Sequence, residues 1–80
     1  MDGEQLRVLE RMIVAPAVGV FEPAEPVVDG IEEGQAVGHV VTSAEKIPVR
    51  SQFTGALMGM LAVAGERVRE GQPIAWLRTA

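Results

Sequence analysis

The sequence predicts an all-β fold, a compact barrel or sandwich built from two similar halves. Three observations predict it. Gly or Pro punctuates the chain every eight to twelve residues, which keeps the apolar segments short. Ile31-Glu32-Glu33-Gly34-Gln35 returns 37 positions later as Val68-Arg69-Glu70-Gly71-Gln72, and Ala15-Pro16-Ala17-Val18-Gly19 returns 36 positions later as Ser51-Gln52-Phe53-Thr54-Gly55. A one-residue slip therefore separates the two matching blocks. Finally, Gly19 and Gly55 occupy equivalent strand positions, and Gly34 and Gly71 equivalent turns. A repeated turn glycine supplies positive φ, and a repeated strand glycine lets another backbone come close. Glycines paired this way suit two halves interlocked about a pseudo-twofold axis.

Each element follows from its residues. Gln5 to Arg11 carries a helical hint in Leu6 and Leu9, too short to be stable alone. It reads as an N-terminal lead-in over 1–11, before a single domain over 12–80. Met12–Val14 and Val18–Phe21 are rich in strand formers. Gly30–Gly34 and Gly65–Gly71 are turns, each with charged residues before the last glycine. Val37–Thr42 and Pro48–Ser51 flank a joint near residues 42 to 48, and Leu57–Ala62 and Ile74–Leu77 complete the second half. Val37/Val40 and Ile74/Leu77 are spaced by three, so alternation breaks at the same place in both halves, and a bulge or strong twist is expected there. The halves, 13–42 and 49–78, are expected to bury Val14, Val20, Val37, Val40, Val49, Leu57, Met60, Val68, Ile74 and Leu77.

Composition excludes several classes. Eighty residues make one small domain. With no cysteine there is no disulfide framework, and with His39 the lone histidine no convincing metal site can be built. The acidic start Met1-Asp2-Gly3-Glu4 is not a secretory signal, and the longest apolar run, Ala56–Gly65, is too short to span a bilayer. These features fit a cytoplasmic protein. Residues 1–45 hold nine acids and two bases, whereas residues 46–80 hold two acids and five bases. That split implies either two solvated faces or a dipolar surface that orients the domain on a protein partner. The acidic balance argues against nucleic acid.

The run Gly55-Ala56-Leu57-Met58-Gly59-Met60-Leu61-Ala62-Val63-Ala64-Gly65-Glu66-Arg67-Val68-Arg69-Glu70-Gly71-Gln72-Pro73-Ile74 resembles the C-terminal half of a biotinyl/lipoyl carrier domain, of the biotin carboxyl carrier protein type. The family pattern is G-x-[VIL]-x-x-[VIL]-x-V-x-x-G-x-x-V-x-x-G-Q-x-[LI], and Ala62 stands for its usual valine. Ala15-Pro16 through Val40 resembles the matching first half, with Pro23 and Pro26 altering the loop after Phe21. The resemblance covers about residues 12–78. It implies a flattened barrel-sandwich hybrid of two four-stranded antiparallel sheets with internal pseudo-twofold symmetry.

The resemblance also implies a site. In that family a lysine at the tip of the hairpin joining the halves, within E-[AST]-[MD]-K, carries biotin or lipoate on its amine. Ten residues on from Gly34, five back from Val49 and eleven back from Gly55 all lead to residue 44, which is Ala44. The E-A-M-K signature falls on Val41-Thr42-Ser43-Ala44. Attachment acylates an amine, and a methyl group offers none. Lys46 is the only lysine in the chain. It serves only if the hairpin register slips by two, and Pro48 restricts Ile47 against such a slide. Its plainer role is that of a solvated hairpin lysine.

Two readings follow. One is a non-enzymatic, lysine-less interaction or regulatory module with no cofactor. The other is a carrier subunit of a biotin-dependent carboxylase or acyltransferase complex, loaded with biotin or lipoate at Lys46. Both expect a protein partner, and neither makes the chain itself an enzyme. Nothing places Ser43 or Ser51 against His39 and an acid. Glu32, Glu33 and Glu70 sit at repeated turns and read as surface charge. Met58, Met60 and Trp76 read as core or rim, or as a docking patch if exposed.

Overall fold

The computed structural model describes residues 9–24 and 29–79. Eight antiparallel strands run in order: β1 (Leu9–Val14), β2 (Gly19–Pro23), β3 (Gly30–Ile31), β4 (Ala36–Val41), β5 (Lys46–Arg50), β6 (Gly55–Met60), β7 (Arg67–Val68) and β8 (Pro73–Thr79). They form two four-stranded sheets, β1-β8-β6-β3 and β5-β4-β2-β7. Shifting every strand number by four converts one order into the other. The described residues contain no helix. Leu9–Arg11 belong to β1, so the last three residues of the expected lead-in are strand, and the helical hint does not extend over them. These residues pair with Leu77, Arg78 and Thr79 of β8, and that ladder outweighs a weak local preference. Gln5–Val8 and Pro26 lie outside the described residues.

Hydrogen bonds repeat across the pseudo-twofold. Ala15 N donates to Gln72 O as Ser51 N donates to Gln35 O, both at 2.9 Å, and Gly71 N to Ala15 O as Gly34 N to Ser51 O, both at 2.8 Å. Ala24 N donates to Val37 O, and its counterpart Leu61 N to Ile74 O. In each turn a glutamine side chain seals the loop: Glu32 N donates to Gln35 Oε1, and Arg69 N to Gln72 Oε1. Gly34 and Gly71 take φ of 89° and 85°, the left-handed conformation expected of a repeated turn glycine.

The slip between the repeated blocks has a location. Leu57 pairs with Leu77 and Gly59 with Trp76, leaving Met58 unpaired as a bulge in β6. In the first half Phe21 pairs with Val40 and Glu22 with His39, with no residue between. Phe21 and Leu57 are 36 apart and Glu22 and Gly59 are 37 apart, so Met58 is the inserted residue.

Prolines sit where a missing N–H does no harm. Pro73 opens β8, and Pro48 lies on the edge strand β5. Phe21 N bonds towards β7, so the Pro23 nitrogen faces the same side, beyond the end of the two-residue β7.

The core between the sheets holds Ile13, Ala15, Phe21, Ile31, Val37, Val40, Val49, Ala62, Val68, Ile74, Ala75 and Leu77. Leu57 and Met60 pack against it while only partly buried. Two expected core residues are corrected. Val14 is 44% exposed, and Val20 is only half-buried. Their neighbours Ile13 and Phe21 turn inward instead. Met12-Ile13-Val14-Ala15 and Val18-Gly19-Val20-Phe21 present apolar groups at either parity, so local alternation does not choose the inward face.

The two sheets interleave the halves: each takes two strands from each half. The two ion pairs among the described residues both join a first-half acid to a second-half base, Glu22 to Lys46 and Glu10 to Arg78. The charge split along the chain is thus partly neutralised in space.

Candidate functional site at the β4–β5 hairpin

The joint between the halves is the β4–β5 hairpin. Val41 pairs with Lys46 and closes the ladder, and Thr42-Ser43-Ala44-Glu45 make the turn. Below the turn, Val40 and Val49 are fully buried and hold both arms in register. Ser43, Ala44 and Glu45 are exposed.

Two-residue hairpin turns favour positive φ, hence Gly or Asn. This turn has neither, and no non-glycine residue among those described has positive φ. The Thr42 side chain compensates. Its Oγ1 accepts hydrogen bonds from Ala44 N at 3.1 Å and Glu45 N at 3.0 Å, and its hydroxyl donates to Glu45 O at 3.2 Å. Thr42 N also donates to Glu45 O, at 2.9 Å. A single side chain ties the apex to both arms.

Ala44 therefore lies in the apex and exposes a methyl group there. Lys46 lies two residues further on, inside the ladder. Its Nζ is 3.3 Å from Glu22 Oε1, and its side chain is 61% exposed. The amine rests across the outer face of its sheet towards β2, away from the apex position.

The other candidates disperse. His39 is half-buried in β4, between Glu22 of β2 and Pro48 of β5 in the ladders. Ser51 is buried, donates to Phe53 O and accepts from Phe53 N, so its hydroxyl is spent on a local turn. Ser43 is exposed at the apex, whereas Ser51 lies buried just after β5. Glu32, Glu33 and Glu70 are exposed at their turns. Met58 is exposed and Met60 and Trp76 are half-buried on the β1-β8-β6-β3 sheet, where the Trp76 indole lies against Gly59 and the Arg78 guanidinium lies 5.8 Å from the ring centre. The residue that reading the sequence missed is Thr42, which looked like one more position of a degenerate signature. Its signal is a hydroxyl two and three residues before amides in a turn lacking glycine.

No helix among the described residues is long and apolar enough to cross a membrane. Neither a family model nor a curated relative matches the chain. Solved structures do match. The urea carboxylase of Kluyveromyces lactis aligns over 86% of this chain with a TM-score of 0.76 and 21% identity. A single-chain, multi-domain long-chain acyl-CoA carboxylase aligns over 89%, with a TM-score of 0.77 and 14% identity. An aspartoacylase family protein of Mesorhizobium loti aligns over 85%, with a TM-score of 0.69 and 26% identity. The chain spans only 6%, 7% and 22% of those proteins respectively. What the chain shares with them is a two-sheet β fold that recurs as a small part of much larger proteins.

Proposed function

We propose that this chain is a non-enzymatic module of the biotinyl/lipoyl type that lacks the attachment lysine and acts through protein interaction or regulation. One observation carries the reading: the apex of the β4–β5 hairpin, where the family resemblance places the attachment residue, holds Ala44. The intact spacing from Gly34 and Gly55 supports that equivalence. The fold is shared with proteins named as carboxylases and with one named as an aspartoacylase family member, so it accompanies more than one activity. Partners of the carboxylase or acyltransferase kind are the natural candidates.

The second reading is a biotin carboxyl carrier subunit modified at Lys46. The exposure of that side chain favours it, and the likeness to two carboxylases supports it. Against it stand the pairing of Lys46 with Val41 and its contact with Glu22. The intact mass of the protein purified from its native host separates the two. The unmodified mass is expected. A gain matching biotin or lipoate, absent from Lys46→Ala, overturns the lysine-less reading.

A further inference from the structure

We propose that Thr42 is the positioning residue of the hairpin apex, holding residue 44 at one fixed, exposed place on the turn. The inference rests on the reading of that apex given above. Three hydrogen bonds through one hydroxyl carry it: Ala44 N and Glu45 N to Oγ1, and the hydroxyl to Glu45 O. Together they satisfy the Ala44 and Glu45 amides from within the turn. The apex therefore presents the Ser43, Ala44 and Glu45 side chains in a set geometry. The pseudo-twofold supplies a second instance. Thr79, 37 positions on, donates to Leu9 O at 3.2 Å, as Thr42 donates to Glu45 O.

The role is separable from folding. Val40 and Val49 are fully buried and set the strand register below the turn, and every Thr42 hydrogen bond is at an exposed site. Loss of the hydroxyl then loosens the apex and leaves the barrel in place.

The test uses Thr42→Val, nearly the same shape without the hydroxyl, and Thr42→Ser, which restores it. Backbone amide order parameters at Ala44 and Glu45 are measured by NMR in the full chain. Values near about 0.85 are expected for the wild type and Thr42→Ser, and values below about 0.6 for Thr42→Val, with the Val40 and Val49 amides unchanged. In the Ala44→Lys background, labelling by a biotin ligase is expected to slow roughly tenfold with Thr42→Val, as all three exposed hydrogen bonds of the hydroxyl are lost, and to return with Thr42→Ser. Rigid apical amides in Thr42→Val overturn the proposal, as does an unchanged labelling rate. If Ala44→Lys takes no label at all, the attachment-site reading of the apex fails, and the order parameters still decide the role of Thr42.

Discussion

Val37 in β4 and Ile74 in β8 are the same residue in the two halves, each the unpaired member of a β-bulge and each turned into the core. Ala36 pairs with Arg50 and Gly38 with Val49, which skips Val37. Ile13 pairs with Ala75 and Val14 with Pro73, which skips Ile74. A bulge adds one residue to a strand and sharpens its bend. Here it brings two consecutive positions inward: Val37 with Gly38, and Ile74 with Ala75, are all buried. The carbonyls of Val37 and Ile74 then accept from Ala24 N and Leu61 N.

This geometry makes Ile74 the more costly side chain to truncate. It is fully buried, whereas Leu57 only packs against the core from its margin. Ile74→Ala should cost about 2–5 kcal/mol, and Leu57→Ala clearly less. Urea unfolding of the two variants checks the order. Equal losses would show that the sheet carrying Leu57 closes more tightly over the core than its exposure indicates.

Gly19 approaches a neighbouring strand so closely that a Cβ there would lie 2.5 Å from Val41 O and 2.6 Å from Val40 Cγ1. Gly34 has open space around it but a φ of +89°. One substitution meets backbone, the other only conformational strain. Gly19→Ala should cost about 1–3 kcal/mol or more, as overpacking against unyielding atoms does. Gly34→Ala should cost about 1 kcal/mol. Thermal unfolding ranks them, and a Gly34→Ala variant less stable than Gly19→Ala would contradict the account.

Much of this was legible in the sequence, and the errors are instructive. The all-β class, the turn glycines and the break in alternation near Val37 and Ile74 follow from punctuation and repeated spacing. The inward parity of β1 and β2 did not follow from those strands, because both are apolar on each side. The repeat held the answer. Val49 and Leu57 were expected inside, and 36 positions back from them stand Ile13 and Phe21, the two residues that replace Val14 and Val20 in the core. The position of the hairpin apex was legible through the family resemblance, whose spacing leads to residue 44. What occupies Thr42 was visible, but its three hydrogen bonds depend on a turn conformation that no local pattern states.

Met58 makes the slip between the halves testable. It is exposed, unpaired and without a counterpart in the first half. Deleting it should close the β6–β8 ladder and leave a folded domain that unfolds cooperatively. Deleting Val20, which sits in a regular ladder between Val41 and Arg67, should flip part of β2 and unfold the chain. Circular dichroism melts of the two deletions make the comparison. A Met58 deletion that fails to fold would show that the bulge is required by the barrel.

The apex gives the prediction that bears on function. A ligase that acylates a hairpin lysine needs the amine exposed, in register and on a fixed turn, since the activated acyl group reaches only a short distance. This hairpin supplies the turn, through Thr42, and the register, through Val40 and Val49. It has no amine at the apex, where Ala44 stands, and the Lys46 amine rests against Glu22. Ala44→Lys should therefore gain labelling by a biotin or lipoate ligase, more so with Ser43→Met beside it, while the wild type and Lys46→Ala stay unlabelled. Mass spectrometry after incubation reads the result directly. Label on the wild type that vanishes in Lys46→Ala would move the carrier site to Lys46. Absence of label from every variant would mean that Thr42-Ser43-Ala44-Glu45 has lost the contacts a ligase reads, and that an amine at the apex is not sufficient to restore them.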